Sequence, residues 1–319
     1  MKTLSPLVFS LLLGQALPLQ CQEKPAASPP VKIIQQVPAA ESNSYEIFRS
    51  TVYRSYTAKI HPAASEQEKN ASAAGSKTES RDLKCDVLVP AGKGPFPAVL
   101  MLHGGGWRSG TKLQIRGHAI SVVQADFVVV AINYRHAPEF KWPAQLQDCH
   151  HALQWMTDNA EKYKIDPGRL ATWGYSAGGH LASFLATTSN SDVGKKFPIR
   201  AAVCGGGPVD LTQLPEDFPF LGYFLGGSRR QFPKRYAMAS PITHLTKNDP
   251  PLFLFHGRQD YLVPIQGVED MKKKADDLGV RCELAMVESK GHILTFFDQH
   301  SIDLGVQFLK SIFSPSDLP

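Results

Sequence analysis

From residue 81 onward, short apolar runs alternate with stretches of helical pattern, and this alternation limits the fold more than any other feature of the chain. The runs span residues 83–89, 98–102, 127–132, 170–173, 201–204, 252–255 and 282–287. Several carry no polar residue at all, as expected of a strand whose two faces are both covered. Helical patterns fall at residues 143–159, 177–188, 268–278 and 301–313. Strands alternating with helices specify a mostly parallel sheet with helices on both faces. Working groups in such sheets collect beyond the C-terminal ends of the strands. The residues that follow each run therefore matter most.

The run ending at Trp173 leads into Gly174-Tyr175-Ser176-Ala177-Gly178-Gly179, and a helical pattern opens at once. This is the G-x-S-x-G nucleophile elbow, whose glycines permit a sharp turn that lifts the serine over the sheet. Roughly one chain in seven of this composition would contain the pentapeptide by chance, so its place between strand and helix carries the reading. The run ending at Leu102 leads into His103-Gly104-Gly105-Gly106-Trp107. Three glycines let backbone amides turn inward and approach a ligand closely. The amides of Gly104, Gly105 and Ala177 are thus candidates for an oxyanion hole. Trp107 and Tyr175 flank these positions and are candidates for the substrate pocket.

A serine hydroxyl is a poor nucleophile at neutral pH and needs a neighbouring base. On an elbow scaffold the acid and the base follow the serine in that order along the chain. Asp260 follows the run ending at Phe255, and His292 follows the last run. His292 would take the proton of Ser176, and Asp260 would orient the imidazole. Asp210, after the run at 201–204, is a competing acid. His103 and His256 precede glycines at strand ends and read as structural hydrogen-bonding groups. His150, His151 and His180 fall within helical patterns and read as surface or packing residues.

Other features narrow the function classes. The chain has 319 residues and a net charge of +5 without a basic stripe, which argues against nucleic-acid binding. Its five cysteines form no CxxC or Cys/His cluster, which argues against a zinc site. Cys85, Cys204 and Cys282 lie in or beside apolar runs and read as small buried hydrophobes. Acyl transfer by serine, aspartate and histidine needs no metal or organic cofactor. Lys2, an apolar run at 7–13 and Gly14-Gln15-Ala16 read as a signal peptide over about residues 1–20. That run is shorter than the ~20 residues needed to span a bilayer, and no later stretch qualifies. The expectation is an exported protein without a membrane span. Gln20 is bulky where lipid attachment at Cys21 would need a small residue, so lipidation is not expected. Residues 21–44 are polar and proline-rich and read as a flexible leader to a domain over 45–319. Residues 63–80 read as an exposed hairpin loop, where Asn70-Ala71-Ser72 fits a glycosylation sequon that a Ser-rich loop can offer by chance. Between 208 and 245, Phe218, Phe220, Tyr223 and Phe224 sit among prolines and glycines. They fit a compact cap over the site or a small packing core equally well.

Asn133-Tyr134-Arg135-His136-Ala137-Pro138, Phe140-Lys141-Trp142-Pro143-Ala144 and Asp148 form a further motif. Together with His103–Trp107, the elbow, His256-Gly257 with Asp260 and Val263-Pro264, and Gly291-His292, it resembles the hormone-sensitive-lipase-like branch of α/β hydrolases. Within that branch the chain is most similar to exported bacterial carboxylesterases related to feruloyl and acetyl esterases, over about residues 83–313. The resemblance implies the α/β-hydrolase fold, and a structural charge pair between Arg135 and Asp148. It also implies hydrolysis of short-acyl carboxylic esters, with acetyl or feruloyl groups on polysaccharides as the substrates to consider. A peptidase or amidase of the same fold is the alternative, although such enzymes usually carry a large extra domain or an acidic anchor for the substrate amine. A catalytically silent binding protein is the third reading, and the presence of all three candidate triad residues counts against it. Oligomeric state is not legible.

Overall fold

The computed structural model describes residues 31–35, 44–59, 78–216 and 218–314. The signal peptide, Cys21 and the sequon at Asn70 lie outside the described residues, as does most of the leader, but residues 31–35 within it form a strand paired with Tyr45–Arg49 rather than flexible chain. The chain runs β1 (Val31–Gln35), β2 (Tyr45–Lys59), β3 (Thr78–Pro90), β4 (Phe96–Leu102), α1 (Arg116–Val123), β5 (Val128–Ile132), α2 (Ala144–Asp158), β6 (Ile165–Tyr175) and α3 (Ala177–Thr187). It continues with β7 (Ile199–Gly205), α4 (Pro219–Leu225), α5 (Pro233–Met238), α6 (Pro241–His244), β8 (Leu252–Gly257), α7 (Gln266–Leu278), β9 (Cys282–Val287), α8 (His292–Phe296) and α9 (Gln299–Phe313).

The strands form one sheet of nine in the order β1-β2-β3-β5-β4-β6-β7-β8-β9. The pairings β1–β2, β2–β3 and β3–β5 are antiparallel. From β5 through β9 every pairing is parallel. This is the mostly parallel sheet that the alternation specifies, in the α/β-hydrolase form that the resemblance implies.

Side chains alternate across the strands and divide the core in two. On one face, Leu100, Leu102, Val130, Ala202 and Leu254 pack with Leu153 of α2, Leu181 of α3 and Met271 of α7. On the other, Val99, Met101, Val129, Val203 and Phe253 pack with Val122 of α1 and with Phe308 and Leu309 of α9. Covering both faces explains why the central runs are continuously apolar rather than alternating.

The structure adds elements that the apolar pattern does not announce. In β2, Tyr45 and Ile47 point inward, but register shifts between Phe48 and Thr51 and between Val52 and Arg54 break the two-residue period. Lys59 pairs with Thr78, so β3 begins at Thr78 and residues 78–80 are strand rather than loop. The expected Arg135–Asp148 pair is present, with Nε of Arg135 at 3.0 and 2.9 Å from the two carboxylate oxygens. Arg54 of β2 donates to the same wholly buried carboxylate. The four described cysteines are free and buried, and burial pushes the Cys282 thiol up to about 12.

Candidate active site

At the C-terminal end of β6 the backbone turns into α3 within one residue. Ser176 adopts φ 55° and ψ −122°, a strained conformation for a residue with a Cβ. The turn closes only because Gly174 and Gly178 lack side chains: a Cβ on Gly178 would lie 2.1 Å from the carbonyl oxygen of Leu102 in β4. The Ser176 amide donates to Gly205 O at 2.8 Å, and its carbonyl accepts from the His180 amide at 3.0 Å. The residue is thus clamped between β7 and the first turn of α3.

Two loops bring side chains to this serine. Ser176 Oγ lies 2.9 Å from His292 Nε2, and His292 Nδ1 lies 2.6 Å from Asp260 Oδ2. The carbonyl of Lys290 accepts from the Gln259 amide at 3.1 Å, which ties the base loop to the acid loop. Asp260 Oδ1 accepts from the amides of Leu262 at 3.0 Å and Val263 at 2.8 Å. Burial opposes the charged form of Asp260, but hydrogen bonds from His256, His292 and the Val263 amide, with the charge of His292, outweigh it. Its carboxyl titrates well below the ordinary carboxylate range. Asp210 is placed elsewhere: its carboxylate accepts from the amide and hydroxyl of Thr212 at 2.9 and 2.6 Å.

Gly104 passes beside the serine, where a Cβ would stand 3.3 Å from Ser176 Cβ. Gly105 has φ 111°, and a Cβ there would strike Ser109 O. Ala177 is the first residue of α3, and the first amides of a helix have no partner within it. Gly104 and the start of α3 at Ala177 thus both bring backbone close to Ser176.

Neither pocket candidate stands on an open wall. Trp107 is 1% exposed, stacks on Phe224 of α4 at 4.2 Å, and donates from Nε1 to His180 Nδ1 at 3.3 Å. It anchors the glycine loop to α3 and to the segment above it. Tyr175 is also buried, and its hydroxyl donates to the carbonyl of His292. Both rings pack around the site with their polar atoms bonded to protein partners. The aromatic segment divides the same way. Phe224 is wholly buried, whereas Phe220 faces Gly106 and Tyr223 lies exposed beneath the Arg108 guanidinium.

The histidines read as structural have definite partners. His103 stacks on Tyr134 at 4.2 Å, and its Nδ1 contacts Gly104 O at 2.7 Å. His180 Nε2 donates to Ala239 O at 2.7 Å. His150 is half-buried beside Phe197, and His151 is exposed. His118 of α1 is a residue the sequence pattern leaves unmarked. It accepts from Trp173 Nε1 at 3.0 Å and donates to Phe296 O at 2.8 Å, bracing the helix that carries His292. Its only sequence signal is a histidine inside a short apolar stretch.

Residues 85–275 match the BD-FAE family model. The chain belongs to the BD-FAE family. His292 lies beyond the matched residues, so its placement rests on the geometry above. LipM of Mycobacterium tuberculosis, named a probable carboxylic ester hydrolase, is 33% identical over 66% of this chain and 50% of its own. The chain spans about half the length of the curated relatives it matches, 50%, 43% and 46% for LipM, LipQ and LipC. A truncated carbohydrate esterase from gut microbiota superposes with a TM-score of 0.70 at 24% identity, covering 86% of this chain and 99% of that one. Esterase 2 of Thermogutta terrifontis, phosphonylated by sarin, superposes with a TM-score of 0.63 at 25% identity over 73% of this chain and 91% of its own. The two solved structures are similar in fold to the chain, and the names of these relatives and neighbours are those of esterases and carboxylic ester hydrolases.

Proposed function

We propose that this protein is a serine carboxylesterase acting on short-acyl esters through an acyl-enzyme on Ser176. The observation that carries the reading is the unbroken chain from Ser176 Oγ through His292 to Asp260, with steps of 2.9 and 2.6 Å, at a strained elbow. His292 takes the serine proton as Oγ attacks the ester carbonyl, and returns it to the leaving alcohol. Asp260 holds the imidazole with Nδ1 protonated and stabilises the imidazolium. The amides of Gly104, Gly105 and Ala177 receive the oxyanion, where one donor is worth ~2.7–4 kcal/mol. Water then resolves the acyl-enzyme by the same steps in reverse. Membership in the BD-FAE family and the esterase names of relatives support the same reading.

The segment over the glycine loop consists of short helices, the longest being α4 with 7 residues. Such a cap favours small acyl groups over long chains. The carbohydrate-esterase name of one neighbour adds acetylated polysaccharides to the candidate substrates, and an exported location would give access to them. Among the described residues no helix is long and apolar enough to cross a membrane.

A panel of p-nitrophenyl esters from acetate to palmitate, with acetylated xylan and methyl ferulate, tests the proposal. Acetate to butyrate are expected to give the highest kcat/KM, with no loss of activity in EDTA. Palmitate exceeding acetate, or inactivation by EDTA, would contradict it.

A further inference from the structure

Asp260 is flanked by two histidines. His292 Nδ1 lies 2.6 Å from Oδ2, and His256 Nε2 lies 3.2 Å from the same oxygen. His256 also donates from Nε2 to Val263 O at 2.8 Å, which fixes the proton on that nitrogen. Val263 in turn donates its amide to the other oxygen, Oδ1. His256 therefore acts on Asp260 twice, through the positive end of its N–H beside Oδ2 and by holding the carbonyl of Val263, the residue whose amide faces Oδ1.

The remaining nitrogen of His256 sharpens the point. Nδ1 is buried and has no hydrogen-bond partner, in a side chain that is wholly enclosed. A buried unsatisfied polar atom is costly, and an apolar ring of similar size would avoid that cost. His103 has an orphan Nε2, but its Nδ1 contacts Gly104 O and its ring stacks on Tyr134 rather than on a side chain of the triad. Among the described residues, His256 is the one that spends such a cost against the candidate acid.

We propose that His256 is a positioning residue, which holds the Asp260 carboxylate so that a lone pair of Oδ2 stays aimed at His292 Nδ1. The proposal rests on the serine-esterase reading of the site. Without the His256 N–H, the Val263 carbonyl and the carboxylate lose a common anchor. The imidazolium formed when Ser176 gives up its proton is then held less firmly. Substrate binding is not touched, because His256 is enclosed behind Asp260.

The test compares His256→Phe with His256→Gln, whose side-chain amide nitrogen can occupy the place of Nε2. His256→Phe is expected to lower kcat about tenfold to a hundredfold, the range of one hydrogen bond to a charged group, with KM unchanged. The downfield Nδ1–H proton resonance of His292 is expected to shift in that variant. His256→Gln should recover most of kcat and restore the resonance. If His256→Phe yields no folded protein, His256→Asn, whose shorter amide falls short of Oδ2, takes its place. A folded variant lacking the donor that keeps wild-type kcat and the wild-type resonance would overturn the proposal, as would equal loss in the Gln variant. If every variant except Gln fails to fold, the donor serves the fold and the proposal falls. Asp260→Asn in parallel separates the two claims. If it retains full activity, the reading of the site is wrong, whereas its inactivity beside an unimpaired His256→Phe condemns only the role of His256.

Discussion

Asp260 and Asp210 both follow strands of the parallel sheet, and what separates them is where their carboxylates are spent. Asp210 closes a local turn onto Thr212, while Asp260 faces His292 at 2.6 Å with its other oxygen held by two amides. Asp260→Asn is expected to lower kcat by about 10⁴-fold, because the amide no longer selects the required tautomer of His292. Asp210→Asn is expected to leave kcat within a few-fold. Steady-state kinetics on p-nitrophenyl acetate measures both, and the reverse ranking would redraw the site. The order of strand ends was enough to nominate Ser176, Asp260 and His292, because each follows an apolar run at a fixed place in the chain. It did not reveal that Trp107 and Tyr175 are buried. A sequence position beside a reacting group does not say whether the ring turns outward or, as with Trp107 on Phe224, into the packing.

At the level of elements, the loop after β5 is tied to α2 through Asp148. The carboxylate is wholly buried and takes hydrogen bonds from the Arg135 side chain and amide, and from Arg54 of β2. Removing one side of a buried ion pair strands the other, at about 3–5 kcal/mol. Asp148→Asn is expected to lower the unfolding free energy toward that range in urea denaturation, with the m-value unchanged. A change below about 1 kcal/mol, the scale of an exposed pair, would contradict the account. The Arg135 partner was legible from its motif, but Arg54 was not. It sits on β2, whose two register shifts hide the strand from any search for alternation. The helix α1 escaped for a related reason. It has 8 residues and includes Gly117 and two adjacent valines, so its order comes from packing with α9 rather than from local propensity.

Across the whole molecule, three enclosed histidines join separate parts of the fold. Burial holds His103 at about 3, and His118 and His180 at about 4, in each case despite a backbone hydrogen bond that pulls the other way. In the unfolded chain such groups titrate near ~6.5. Between ~6.5 and 4 the unfolded state therefore binds protons that the folded state refuses, so stability rises with pH. Their contribution is complete above about 6.5 and is lost progressively as pH falls toward 4. Urea midpoints measured from pH 7 to 5, above the ordinary carboxylate range, are expected to fall steadily. A flat profile over that interval would show that these rings are charged in the fold. His180 and His118 each accept from a tryptophan N–H and donate to a backbone carbonyl, so a second proton has no acceptor to meet. The central claim concerns Ser176, and a fluorophosphonate probe tests it most directly. The account predicts one labelled site, on the peptide containing Ser176. In Ser176→Ala, labelling should be absent and kcat should fall by about 10⁴-fold or more, with the melting transition retained. Labelling on another residue, with ester hydrolysis surviving Ser176→Ala, would contradict the account.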